Sequence, residues 1–208
     1  MGYVVLHLDK SPDNEVPMTA HIARTKMPPN AMPELTYLNE ELVEFPEGVA
    51  DRTEAINHRL EHAGLTRKIG TNQVRVIRVM LTGTQEDMLR IVQEGRLKAW
   101  CTDNLAWLRK TFGAENVVSA VLHMDEATPH LHIDFVPYTT GSKRGLDTRV
   151  SLKQALSALG FKGGTRSETE LNQWVQHEKK QLAEIMLERG IESVSYTHLR
   201  AHETSAHL

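Results

Sequence analysis

Period-two alternation is clearest between residues 117 and 136. Val118, Ala120, Leu122 and Met124 share one face, and Val117, Ser119, Val121 and His123 the other. After a short link over 125–129, Leu131, Ile133 and Phe135 alternate with His130, His132, Asp134 and Val136. Such patterning marks half-buried β-strands, and so short a link suits an antiparallel connection. A first strand is expected over 3–8 and a central one over 72–82, where Arg75 and Arg78 fall on opposite faces. Asp51 with Glu54 reads as the N-cap and partner of a helix ending at Gly64. Thr84-Gln-Glu-Asp87 is a capping box for a long helix towards Phe112, with a break expected at Gly95. A short helix over 151–159 closes at Gly160. Ser167-Glu-Thr-Glu170 is expected to cap a last helix carrying Leu171, Trp174, Val175, Leu182, Ile185 and Met186. Residues 11–16 read as a polar link. Residues 21–39 read as irregular coil, because Pro28, Pro29 and Pro33 remove donors and restrict their predecessors. Trp100 and Trp107 are expected in the core. The element order gives an α+β fold, a small antiparallel sheet with helices packed on one face.

Composition narrows this little. A chain of 208 residues, 40% hydrophobic, supports one substantial core, and its single cysteine excludes a disulfide framework and suits a reducing cytoplasm. No apolar run reaches membrane-spanning length, so no membrane segment is expected. The net charge of −3 argues mildly against a nucleic-acid surface. Basic residues do cluster, at Arg67-Lys68, Arg75, Arg78 and Lys143-Arg144.

The candidate chemistry lies on the alternating strands. If their apolar faces meet one core, His123, His130 and His132 emerge together on the opposite face. Paired strands about 4.8 Å apart allow three imidazoles to converge on one ion at metal–nitrogen distances of about 2.1 Å. Three neutral histidines leave coordination positions open, the arrangement of catalytic metals. A divalent metal is therefore expected, manganese first, with zinc, nickel and magnesium as alternatives.

The segment His123-Met-Asp-Glu-Ala-Thr-Pro-His-Leu-His132 resembles the histidine-hydrophobe-histidine motif of the Mob/Pre (MobV) plasmid relaxases, His-x-Asp-Glu-x-Thr-Pro-His-x-His, at every fixed position. The resemblance implies an HUH-type relaxase-like domain. Such an enzyme uses a metal to nick one strand of supercoiled plasmid DNA at a transfer origin, stays covalently attached, and rejoins the strand during mobilisation or recombination. It also implies a helical C-terminal region used for dimerisation or partner contacts, and a cytoplasmic location. His21, Arg24, Asn30, Pro33 and Asn39 match family positions near the N-terminus. Tyr37 stands where the family usually has histidine, and Glu40 where many members have tyrosine. His21 is thus the expected nucleophile with Tyr37 as fallback, Glu126 the expected base, and Arg24 the expected phosphate clamp. Asn30, Tyr37, Asn39, Arg67 and Lys68 are expected to contact DNA. Two other classes stay open from the residues themselves: a metallohydrolase for a small phosphate or carbonyl substrate, and a DNA-binding module without catalysis.

The end of the chain has a different character. Val194-Ser-Tyr-Thr-His-Leu-Arg-Ala-His-Glu-Thr204 reads as one frame of a common transposase sequencing adapter, and Ser193 fits the same frame. Residues 1–192 are therefore expected to form the catalytic domain, shortened at its C-terminus, with 193–208 a non-native tail. On that reading His198, His202 and His207 are not metal ligands.

Overall fold

The computed structural model describes residues 5–11, 15–70, 73–141 and 147–189. Residues 3–4 and 72 of the expected strands, residues 12–14 of the polar link, Lys143-Arg144 and all of 190–208 lie outside the described residues, as do His198, His202 and His207.

The main sheet contains β1 (Val5–Ser11), β2 (Glu40–Glu41), β3 (Val76–Thr82), β4 (Val117–His123) and β5 (His130–Phe135). Their spatial order is β1-β3-β5-β4-β2, and every neighbouring pair is antiparallel. A small ribbon of β6 (Tyr138–Thr139) and β7 (Arg149–Val150) follows. The α+β expectation holds. Leu6, Leu8, Ile77, Val79, Leu81, Ala120, Leu122, Leu131, Ile133 and Phe135 form the main core with α3 (Gln85–Gln93), α4 (Leu97–Phe112), α5 (Leu152–Ala158) and α6 (Glu170–Glu188). Trp100 and Trp107 are buried there, and the Trp107 indole N–H donates to Glu178 at 2.6 Å, fastening α6 to α4.

The second face of the sheet is not left open. Two further helices, α1 (Val16–Ile22) and α2 (Arg52–Glu61), lie over part of it. Consequently all six residues of β5 are buried, not half of them as alternation suggested. The strands also shift phase. Val117 pairs with Phe135 and Ser119 with Asp134, so Val118 is an extra residue in a β-bulge. A bulge moves side chains across the sheet. Val117 thus joins the main core, and Val118 turns to a second cluster with Ile56, Leu60 and Val136. Strict alternation assigned both residues to the wrong faces, but Ser119 to His123 keep theirs.

The caps explain most helix ends. Asp51 and Thr84 accept the N–H of Glu54 and Asp87, and Ser151 that of Gln154. The long helix does break at Gly95, which has φ +68°. Thr169 accepts the N–H of Asn172 at the start of α6, in the place expected of Ser167. Coil was expected over 21–39, but α1 runs to Ile22 and a 3₁₀ helix spans Pro33–Leu38 before β2. A seven-residue helix without a side-chain cap is unstable alone, so tertiary contacts must hold α1. Pro17 in its first turn was the available start signal.

Those contacts are ionic. Arg52, at the start of α2, makes two hydrogen bonds to the Asp134 carboxylate of β5, and another to Glu15 beside α1 at 2.6 Å. Arg52 and Asp134 are almost wholly buried. Arg78 of β3 faces the same network, near Asp9, Glu15 and Asp134. Breaking a buried pair by removing one partner typically costs about 3–5 kcal/mol, more than the intact pair contributes over an apolar substitute. Arg52→Met and Asp134→Asn are each expected to lower stability by that order. The double variant should lose clearly less than the sum in urea denaturation. Additive losses would show that the two side chains do not act as a pair.

Candidate metal centre

The β4–β5 hairpin brings the three histidines together. His123 pairs in register with His130, and His132 lies across from Val121, so all three project from the second face of the sheet. Their ring centroids are 5.0–5.1 Å apart and the rings stand edge to face. One nitrogen from each lies within 4.8 Å of the other two. All three are buried, beneath a polar layer supplied by the N-terminal segment.

Hydrogen bonds fix two tautomers. His123 Nε2 lies 2.8 Å from the Ile22 carbonyl at the end of α1, and His130 Nδ1 3.0 Å from the Thr128 carbonyl. A carbonyl only accepts, so both of these nitrogens carry hydrogen. The remaining nitrogens, His123 Nδ1 and His130 Nε2, then face each other at 3.1 Å with lone pairs. Two opposed lone pairs repel unless a cation lies against both. Two ligands at right angles with bonds of about 2.1 Å would stand about 3.0 Å apart. His132 adds a buried Nδ1 without a protein partner. The donor set therefore fits a divalent metal, and the carbonyl bonds to His123 and His130 are the outer contacts that orient such ligands.

Protonation leaves the histidines available. Burial pushes His123 down to about 4, reinforced by the Arg24 charge against the pull of the Ile22 carbonyl. Burial drives His132 well below its ordinary value, and the neighbouring His130 and His123 act in the same direction.

Arg24 ties this hairpin to the N-terminal segment. It follows the C-cap of α1 with φ +59°, the single non-glycine in left-handed conformation among the described residues. That conformation, usual for glycine after a helix, costs a side-chain-bearing residue about 1 kcal/mol. Its guanidinium makes two bonds to Asp125, at 2.8 and 2.7 Å, one to Glu126 at 2.7 Å and one to the His21 carbonyl at 3.1 Å. Asp125 is fully buried and also accepts from Thr36. Burial would raise its pKa, but the bonds from Arg24 and Thr36 outweigh it and hold the carboxyl well below the usual range.

Arg24, the expected phosphate clamp, is buried here with its donors directed at protein oxygens. Asn30 donates to Glu126 at 2.7 Å, and the Asn39 carbonyl oxygen accepts the Met124 N–H at 2.7 Å. Both asparagines, expected on DNA, brace the hairpin. Glu126 sits at the edge of the triad, 4.0 Å from His130 Nε2. His21, in the last turn of α1, is half-buried, and burial lowers its pKa, aided by Arg24 and opposed by Glu126. His130 and Arg78 also lower it, so His21 shares the electrostatic surroundings of the triad. Tyr37 is exposed. Arg67 and Lys68 are exposed on the α2–β3 link and line a hollow of about 520 Å³ with Asn57 and Arg75, a hollow in which no triad residue takes part.

Sequence reasoning missed Asp125 as a hub, although its place in the motif beside Glu126 was visible. It also missed the Thr36 and Ile22 contacts, which depend on a segment read as coil.

The sequence profile of the plasmid recombination enzyme family, Mob_Pre, matches residues 1–206. A 65 kDa protein of Zymomonas mobilis is 31% identical over 140 residues, 67% of this chain and 24% of that protein. Plasmid recombination enzyme type 1 of Staphylococcus aureus is 28% identical over 116 residues, 56% of this chain and 27% of that protein. The chain thus spans about a quarter of the length of these relatives. Among solved structures, the Mn-bound MobM relaxase domain with a 22-nucleotide pMV158 oriT DNA, at pH 4.6, has a TM-score of 0.72 at 20% identity, covering 98% of this chain and 97% of that one. At such identity the likeness establishes the fold.

The depressed histidines make the metal-free protein acid-labile. A histidine with a lowered folded pKa binds fewer protons folded than unfolded. Its contribution is complete above about 6.5, the unfolded value, and is lost as pH falls towards the folded value, about 4 for His123. Asp125 follows the same sign at lower pH, losing its contribution below about 4. The thermal midpoint of chelator-treated protein is therefore expected to fall steadily from pH 7 to 4. A midpoint flat to pH 5 would mean that His123 and His132 are not buried neutral.

Proposed function

Because the chain belongs to the plasmid recombination enzyme (Mob_Pre) family, we propose that it carries the relaxase unit of a plasmid-mobilising protein. It nicks one strand of supercoiled plasmid DNA at a transfer origin, holds the strand covalently and rejoins it. The observation that carries this reading is the pair of opposed histidine lone pairs, 3.1 Å apart, beside a half-buried histidine with a lowered pKa. His123, His130 and His132 would hold the metal, and manganese is the favoured ion because the MobM relaxase domain structures are Mn-bound. When bound, the ion supplies Lewis-acid stabilisation and orientation of the scissile phosphate.

His21 is the nucleophile in this reading. Its lowered pKa keeps the imidazole neutral at cytoplasmic pH, with a lone pair free to attack phosphorus. A P–N bond forms while the bond to the departing strand's oxygen breaks. The second imidazole nitrogen gives up its proton, for which Glu126, whose charge acts on His21, is the candidate acceptor, and the departing oxygen gains a proton from solvent. The phosphoramidate retains the bond energy that rejoining requires. Arg24 serves by fixing His21 against the hairpin through the His21 carbonyl and Asp125, a positioning role in place of phosphate contact. Asn30 and Asn39 support the same hairpin, and Arg67 and Lys68 offer charge to more distant DNA phosphates. Residues 1–192 form the catalytic unit. Cytoplasmic location and self-association through regions beyond this unit complete the proposal.

Incubation with manganese and supercoiled origin-bearing plasmid should yield a covalent protein–DNA adduct. His21→Ala is expected to abolish the adduct while DNA binding survives. The adduct should be acid-labile, as a P–N bond is and a tyrosyl phosphodiester is not. An acid-stable adduct that persists in His21→Ala and vanishes in Tyr37→Phe would transfer the role to Tyr37. Separately, manganese at about one hundred times its dissociation constant should stabilise the protein by about 2.7 kcal/mol. His130→Ala or His132→Ala should remove that gain; its retention would place the ion elsewhere.

A further inference from the structure

The segment clamped onto the metal hairpin exposes an unusual set of side chains. Among the described residues, Met27 is 40% exposed, Met32 36%, Tyr37 79% and Leu38 41%, whereas the exposed Val16, Leu89, Leu159 and Leu187 are dispersed over α1, α3, the C-cap of α5 and α6. The 3₁₀ helix Pro33–Leu38 buries none of its residues. At six residues it exceeds the usual three or four, and apolar packing cannot account for its persistence. Polar ties hold it in place. The Met32 N–H donates to the Asp125 carbonyl at 2.7 Å, Thr36 to the Asp125 carboxylate at 3.1 Å, and Asn39 takes the Met124 N–H. Pro28, Pro29 and Pro33 stiffen the same stretch and reduce the entropy lost on binding. The result is a stiffened segment with exposed apolar side chains, anchored to Met124 and Asp125, the two residues that follow His123.

We propose that this surface, with Tyr37 at its most exposed point, is a stacking platform for an unpaired DNA base next to the scissile phosphate. The inference rests on the relaxase reading and specifies how its substrate is held. Charge decides between base and backbone. Residues 26–40 carry exposed Glu34 and Glu40 against one exposed lysine, Lys26, so the segment offers phosphates no net attraction and suits a base face better. Stacking on an aromatic ring needs no counter-charge and tolerates any base. The platform thus grips the strand by its bases beside the metal, and the Arg67-Lys68 side offers charge to the backbone. Tyr37 acts here through its ring, with no need of its hydroxyl.

The test compares binding of manganese-loaded full chain to a twelve-nucleotide single-stranded oligothymidylate and to an abasic strand of the same length and charge. Wild type should prefer the thymidylate. Tyr37→Ala should weaken thymidylate binding on the order of tenfold, with abasic binding and the slope of affinity against salt unchanged. Tyr37→Phe should retain the preference. Equal loss for both strands, no loss for thymidylate, or self-association through this surface in sedimentation would each overturn the platform. If wild type binds both strands equally and still nicks plasmid, the platform alone falls. If it binds neither strand and forms no adduct with origin-bearing plasmid, the relaxase reading falls with it.

Discussion

The bond on which the rest of this site depends is the paired contact of Arg24 with Asp125. It joins residues 101 apart in sequence, both buried. Asp125 has no water to solvate its charge, so the guanidinium is required wherever the carboxylate stays ionised. Holding Arg24 in left-handed conformation costs energy locally, and the four bonds from its guanidinium offset that cost. One of them reaches the His21 carbonyl, so the end of α1 is tied to the metal hairpin. The Ile22 carbonyl, one residue on, then selects the His123 tautomer. A single ion pair thereby orders a helix end, a ligand and the expected nucleophile together.

The sheet divides these tasks by face. One face is apolar and anchors α3 to α6, while the other carries Ser119, His123, His130, His132 and Asp134 beneath α1 and α2. The bulge at Val118 makes this division possible. It sends Val118 into the apolar patch under α2 while the following residues regain the phase that aligns His123 with His130. The histidine face is therefore buried without joining the main core. Burial lowers the pKa of His123 and His132, the Ile22 carbonyl of the polar cover orients His123, and the Thr128 carbonyl of the hairpin link orients His130.

Much of this was legible from period and motif. The alternation over 119–123 and 130–135 placed the three histidines on one side, and the caps at Asp51 and Thr84 marked helix starts that the structure keeps. What failed depends on tertiary contact. Helix α1 is too short to announce itself, and its stability comes from Arg52, Glu15 and Thr19 meeting across the fold. The bulge leaves no mark in a run of valines, since Val117 and Val118 are equally apolar. Arg24, Asn30 and Asn39 match the family pattern, but matching cannot distinguish a residue that touches substrate from one that braces the hairpin. The geometry adds that their polar atoms turn towards Asp125, Glu126 and the Met124 N–H.

The same geometry bears on how an acidic chain can act on a polyanion. Around the triad, Arg24, Arg52 and Arg78 face Asp9, Glu15, Asp125, Glu126 and Asp134, three cations against five anions. Apart from the histidines, these side chains carry a formal charge of −2, and the arginines are committed to the carboxylates. A phosphate approaching that surface alone meets net repulsion. A divalent ion on the triad brings the balance to zero and puts the positive charge where the lone pairs of His123 and His130 converge. In the proposed function the ion is then as necessary for drawing the strand in as for the chemistry. The chain's own net charge of −3 is no obstacle, because attraction is concentrated at one point on a surface otherwise suited to bases.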